Sequence, residues 1–270
     1  MPLQRGQFLG YKQVGDPVMI TSQPMESFSG FTKGNFNSTL STIIVQDSIM
    51  AWWDTNSGIT LNGSTVSQWV DKVGGYVLAQ PTAVKQPTFI VNDVLYNNHN
   101  SVNFTVSTQN LVVTSTLPGS FPTIGTNSGM SILLVYHLPG GQNCSPMAGG
   151  TAVLNTGWWY MQNYSNVAHA QYEDTSTHDA PLSLLLPVTA VASINIDRGL
   201  GILTNTVNGF NNTTAIDTAL TNFSTISSSA GFNGYIAGLP TILEAVIYSR
   251  SLTTAEINQN ANAMRLKYGF

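Results

Sequence analysis

The chain has 270 residues, of which only 8% are charged against 42% hydrophobic, and its formal net charge at pH 7 is −4. Soluble domains average ~25% charged residues, so this surface is built from Ser, Thr, Asn and Gln, as is common on secreted proteins and virion components. The basic residues are scattered from Arg5 to Lys267 with no stripe to follow phosphates, no apolar run could span a bilayer, and Cys144 is the sole cysteine; nucleic-acid binding, membrane insertion and an internal disulfide are thereby excluded.

Residues 1–47 differ from the rest. Met1-Pro2-Leu3-Gln4-Arg5 offers no apolar h-region, so no cleaved signal is expected. The segment is rich in Gly and Pro, keeps neither strand nor helix periodicity, and carries the isolated aromatics Phe8, Tyr11, Phe28, Phe31 and Phe36. A frayed terminus is one reading. Aromatic rings serve no purpose in water, however, and the favoured reading is an extended arm whose five rings pack on the domain or on a partner.

From residue 48 to 270 short apolar runs alternate with turn clusters, the pattern of an all-β sandwich. Ser48–Asp54 reads as a short helical turn leading into it. Strands are expected at Ser101–Val106, Gln109–Thr114, Ser131–His137, Gly157–Asn163, Ala190–Ile196, Gly201–Val207 and Leu243–Tyr248. Asn208-Gly209 suits a tight hairpin turn between Leu203–Val207 and the segment after Phe210, because both residues tolerate positive φ. Thr253-Thr254-Ala255-Glu256 is a capping box, followed by Ile257, Ala261, Met264 and Tyr268 at helical spacing and by Gly269, so a helix is expected there.

The stretches Ala51-Trp52-Trp53-Asp54, Val66-Ser67-Gln68-Trp69-Val70-Asp71-Lys72 and Gln86-Pro87-Thr88-Phe89 come in that order near the start of the domain. Phe232-Asn233-Gly234-Tyr235-Ile236, Glu244-Ala245-Val246-Ile247-Tyr248 and the capped helix close it. Taken together this resembles the concanavalin A-like, laminin-G-like jelly rolls of bacterial and phage proteins. One departure is the interposed Ala237–Leu243, which requires a bulge or a short loop before Glu244. The resemblance implies an antiparallel two-sheet sandwich in which Trp52, Trp53, Trp69 and Glu244 are structural and Asp71-Lys72 forms a turn.

The same fold houses β-glucanases, which need two or three carboxylates on one strand face. The chain has only Glu26, Glu173, Glu244 and Glu256, with no such alternation, no zinc pattern among His99, His137, His169 and His178, and no Gly-x-Ser-x-Gly elbow. No catalytic residue and no cofactor are expected. Asp174, His178 and Asp179 read as a polar loop. Calcium remains open, with Asp71, Asp93, Glu173 and Asp174 as the available carboxylates.

Binding is the remaining chemistry. Trp158-Trp159-Tyr160 would put two rings on one strand face and one on the other, and rings stack on sugars, so these three are candidate glycan contacts beside the reading in which they are covered. The expected function is a non-enzymatic virion structural protein, a capsid decoration or fibre component. Its arm would hold the major capsid protein or another virion protein, and it would form a homo-oligomer. The alternative is a secreted or virion-borne lectin-like module that binds glycans.

Overall fold

Two runs break the alternation of a half-buried strand: Met130–Leu138 and Thr241–Tyr248 are apolar almost throughout. Both are central strands covered on two faces, and the fold is arranged around them. The computed structural model describes residues 43–113, 129–140, 144–149, 158–164, 166–173, 176–183, 187–216, 231–233 and 239–270. All of these fall within the unit Ser38–Phe270.

In chain order the described strands are β1 (Ile49–Asp54), β2 (Ile59–Asn62), β3 (Thr65–Val70), β4 (Val77–Ala79), β5 (Thr88–Asp93) and β6 (His99–Asn103). They continue with β7 (Asn110–Val113), β8 (Met130–Leu138), β9 (Cys144–Gly149), β10 (Trp158–Tyr164), β11 (Val167–Glu173) and β12 (Thr177–Ser183). The last are β13 (Val188–Asp197), β14 (Ile202–Val207), β15 (Phe210–Ala215), β16 (Gly231–Asn233) and β17 (Thr241–Tyr248), followed by helix α1 (Thr254–Tyr268).

All pairings are antiparallel. β17 bonds to β8 along one edge, while β1 and β6 share its other edge end to end. β13, β14 and β15 extend this first sheet beyond β8, and β5 extends it beyond β6. The second sheet runs β2-β3-β4-β7-β16-β9-β10-β11-β12. The described chain is thus a mostly antiparallel β-sandwich with one short helix.

Alternate residues of both sheets meet in one core. Ile132, Leu134, Ile194, Ile196, Ala245 and Ile247 come from the first sheet, and Trp69, Leu111, Met147, Ala170, Tyr172 and Phe232 from the second. Trp53 of β1 crosses the interface edge-on to Phe232, with ring centroids 6.3 Å apart. Trp53 and Trp69 are both fully buried; at ~150–250 Å² each, their burial contributes about 4–6 kcal/mol apiece before entropy is counted.

The other face of the first sheet is covered by α1. Leu133, Val135, Val191, Leu243, Val246 and Tyr248 pack against Ile257, Ala261, Met264 and Tyr268. This third layer explains why β8 and β17 are apolar on both faces at most positions. The helix starts as expected: Thr253 accepts from the Glu256 amide, Glu256 reaches back to the Thr253 amide, and Gly269 ends it at φ 79°.

Residues 43–47, placed in the arm by sequence, lie along this layer. Val45 N–H donates to Asn260 Oδ1 at 2.7 Å, Val45 O accepts from the Tyr248 hydroxyl at 2.9 Å, and Ile44 is buried. Ser48–Asp54 is not helical. Ile49–Asp54 is strand β1, because registry with β17 buries Ala51 and Trp53 toward the core, a tertiary gain that a free helical turn would not supply. Of the interposed segment, residues 237 and 238 lie outside the described residues; its end shows a register shift between Ile242 and Glu244 against β8. The Asn208-Gly209 turn is as expected, with φ of 50° and 90°, joining Val207 to its register partner Phe210.

Candidate functional site

The family-like motifs at the two ends of the domain converge on one cluster, and it is structural. Asp54 and Glu244 are cross-strand partners of β1 and β17. Lys267 Nζ, from the last turn of α1, lies 3.0 Å from Asp54 Oδ2 and 3.0 Å from Glu244 Oε2. Lys72 reaches Asp54 Oδ2 at 3.2 Å and lies 4.0 Å from the centre of the Trp52 ring. Burial alone would raise the Asp54 carboxyl, but Lys267, the Asn56 amide and Lys72 together hold it below its ordinary value. Asp54 and Glu244 are thus both engaged in ion pairs with lysines.

Asp71 is committed in the same way. Its Oδ1 accepts from the amides of Val73 at 2.8 Å and Gly74 at 2.7 Å, and its Oδ2 from the Tyr76 amide, which makes the expected turn. Asp93 accepts from the Leu95 amide at 3.1 Å and the Ser101 hydroxyl at 2.7 Å. Neither turns a free carboxylate outward for calcium. Asp174 lies outside the described residues. Among those described, no three His, Cys, Asp or Glu residues gather as a metal site. Phe8, Tyr11, Phe28, Phe31 and Phe36 also lie outside the described residues.

The candidate aromatic strand is present. β10 pairs with β9 on one side and β11 on the other, and β11 pairs with β12. Their registers compose four cross-strand rows: Trp158–Glu173–Thr177, Tyr160–Gln171–Asp179, Gln162–His169–Pro181 and Tyr164–Val167–Ser183. The alternate positions of these strands, Met161, Ala168, Ala170, Tyr172 and Ala180, belong to the core. His169, Gln171 and Asp179 are partly exposed and therefore lie on the opposite, outer face. Trp159 sits at the register position of buried Tyr172.

On this face His169 Nδ1 and Asp179 Oδ2 are 2.8 Å apart. Asp179 Oδ1 is buried and accepts no hydrogen bond from the described residues. The Gln171 side-chain amide likewise makes none among them. The Gln171 amide, on a partly exposed side chain, can both donate to and accept from an incoming hydroxyl.

His169, Gln171 and Asp179 were not among the sequence candidates, and His178 and Asp179 lie in strand β12 rather than in a polar loop. The signal was present in Val167-Ala168-His169-Ala170-Gln171-Tyr172, where small or apolar residues alternate with polar ones at the period of a strand. It was masked by the low hydrophobicity of the alanines.

A second concavity lies on the outer face of the first sheet, where α1 leaves β14 and β15 uncovered. It encloses about 410 Å³ and is lined by residues of β13, β14 and β15 and by the approach to α1.

No family model and no curated protein matches the chain. Among solved structures, it resembles the binding domain of Paraclostridial Mosquitocidal Protein 1 at 12% identity, with a TM-score of 0.55 over 78% of this chain and 51% of that one. It also resembles the binding domain of botulinum neurotoxin DC in complex with SialylT at 14% identity, with a TM-score of 0.52 over 81% and 52% of the chains. The botulinum neurotoxin serotype C1 binding domain matches at 14% identity, with a TM-score of 0.53 over 81% and 52%. The chain therefore spans about half the length of these neighbours and shares a β-rich fold with that part of them.

Proposed function

We propose that this chain is a non-enzymatic, lectin-like module on a jelly-roll sandwich, and that it binds glycans on the outer face of β10, β11 and β12. The observation that carries this reading is the set of cross-strand rows. They put Tyr160 in register with Gln171 and Asp179, with the rows of Trp158 and of His169 on either side, which combines ring-bearing positions with hydrogen-bonding groups of both polarities. The occupied state of Asp54, Glu244 and Glu256 supports the non-enzymatic part, since each is tied to a lysine or arginine. The fold neighbours, one of them a neurotoxin domain complexed with SialylT, support a binding role without naming a ligand for this chain.

A glycan array probed with the full chain tests the reading. Binding of defined glycans, weakened about tenfold or more by Tyr160→Ala or His169→Ala, is the expected result. An array without hits, undiminished binding by both variants, or hydrolysis of laminarin by the purified chain would overturn it.

A second reading puts the same module on a virion surface, held to the major capsid protein or another virion protein through residues 1–47, as a homo-oligomer. It is favoured by the five aromatics of that segment and by the 8% charge content. Deleting residues 1–42 keeps the docked strip 43–47 and should abolish particle attachment while leaving the sandwich folded; retained attachment would reject it.

A further inference from the structure

We propose that the groove beside α1, on the opposite side of the molecule's first sheet, is a second binding site, specific for neutral saccharides. The observation is independent of the β10–β12 face and concerns different residues.

The floor of the groove is rigid and fully bonded. Asn195 Oδ1 accepts from the Ser131 hydroxyl and from the Leu252 amide at 2.9 Å, and its Nδ2 donates to Leu252 O at 3.1 Å. Asp197 is held at both oxygens, by the Leu200 amide at 2.9 Å and by the Ser251 hydroxyl at 3.1 Å. Each carboxylate oxygen has a lone pair to spare. Thr253 is consumed by the helix cap, bonding Glu256 in both directions.

The walls are different. Thr204 and Thr213 face one another as a cross-strand pair of β14 and β15, and Thr254 stands at the start of α1. The hydroxyls of these three threonines make no hydrogen bond among the described residues. β-Branched side chains on strands have few rotamers, so Thr204 and Thr213 present their hydroxyls already oriented. Leu200, 74% exposed, and Ile202 supply apolar surface between them.

Threonine hydroxyls both donate and accept, as sugar hydroxyls do, and a spare carboxylate lone pair accepts from either of two vicinal hydroxyls. The apolar side chains match the C–H face of a pyranose ring. The volume of about 410 Å³ falls in the ~300–1,000 Å³ range of small-ligand sites. Charge decides the ligand class. Asp197 is the only charged residue among the described residues lining the groove; none of them is a cation that could hold a phosphate, sulfate or sialic acid carboxylate, and such groups would meet a like charge.

The test is a methyl-resolved NMR titration of the full chain with cellobiose, maltose, lactose and sialyllactose. At least one neutral disaccharide should shift the methyls of Leu200, Ile202 and Thr213, with sialyllactose binding there at least about tenfold more weakly. The double variant Thr204→Val, Thr213→Val conserves volume and should weaken that binding by about tenfold or more. Groove methyls that no neutral sugar moves, equal response to sialyllactose, or an unchanged affinity in the double variant would each overturn the proposal. Shifts confined to β10–β12 would overturn it while leaving the first site standing. No shift anywhere, joined to an empty glycan array, would overturn both.

Discussion

Trp52 donates its indole N–H to Glu244 Oε1 at 2.6 Å, across 192 positions of sequence. The bond ties the opening motif of the domain to its closing strand. Lys267 completes the tie from α1 by touching both Asp54 and Glu244, so the third layer is anchored to the first sheet by charge as well as by apolar contact.

Removing the cation should therefore cost more than removing an ordinary surface lysine. Lys267→Met leaves Asp54 and Glu244, with side chains 8% and 2% exposed, facing each other with only Lys72 beside them. A loss of about 3 kcal/mol is expected, against about 1 kcal/mol or less for Lys72→Met. Urea denaturation of both variants measures the difference, and equal losses would contradict the account.

Acid should destabilise the domain through identifiable carboxylates. The Arg250 guanidinium, together with the Thr253 amide, holds the Glu256 carboxyl down at about 2, and Asp54 is also held below its ordinary value. A folded-state pKa below the unfolded one contributes stability that is full above the unfolded value and disappears as pH falls through the folded one. Stability should therefore be flat near neutrality and decline from about pH 5 toward about pH 2. Glu256→Gln should be less stable at neutral pH and show a shallower decline, which urea midpoints along a pH series will read.

Asn205 joins the two sheets from within the core. Its Nδ2 donates to Ala168 O at 2.9 Å and to Ala180 O at 2.7 Å, from β14 to β11 and β12. Asn205→Leu keeps the branched shape but takes the shared donor from two carbonyls, at an expected cost of about 2 kcal/mol. Hydrogen exchange should show the loss of protection concentrated in β11, β12 and β14. Uniform loss across the sandwich would instead indicate a general packing defect.

Cys144 is 1% exposed, and burial pushes its thiol up to about 12. At about pH 8 a thiol reagent should leave the native chain unmodified and label it stoichiometrically once denaturant unfolds it. Rapid labelling of the native protein would mean that β9 opens far more readily than its pairing with β10 and β16 indicates.

The parts of the fold written in local chemistry were legible in the sequence. The Thr253–Glu256 cap, the Gly269 stop and the Asn208-Gly209 turn each depend on neighbouring residues alone. β1 was misread because Ile49–Asp54 becomes a strand only by pairing with β17, almost two hundred residues later. β11 and β12 escaped because their inner positions are Ala168, Ala170 and Ala180, too small to raise a hydrophobic signal. The two candidate sites follow from these strands. Trp158 and Tyr160 were visible as aromatics, but the partnership of His169 with Asp179 exists only across a strand pair. The groove was invisible for a stronger reason: its threonines look like every other threonine until α1 is known to stop short of β14.

The position of β17 also sets a schedule for biosynthesis. It is the last of the sandwich's described strands to be synthesised, yet it lies between β8 on one side and β1 and β6 on the other. Until it arrives, a nascent chain carries two sticky, unjoined half-sheets whose inner faces have already been made. Folding is then a single late event with long-range closure, slow by nature and open to aggregation beforehand. Slower translation or a holdase chaperone should accordingly raise the yield of soluble protein more than any added surface charge.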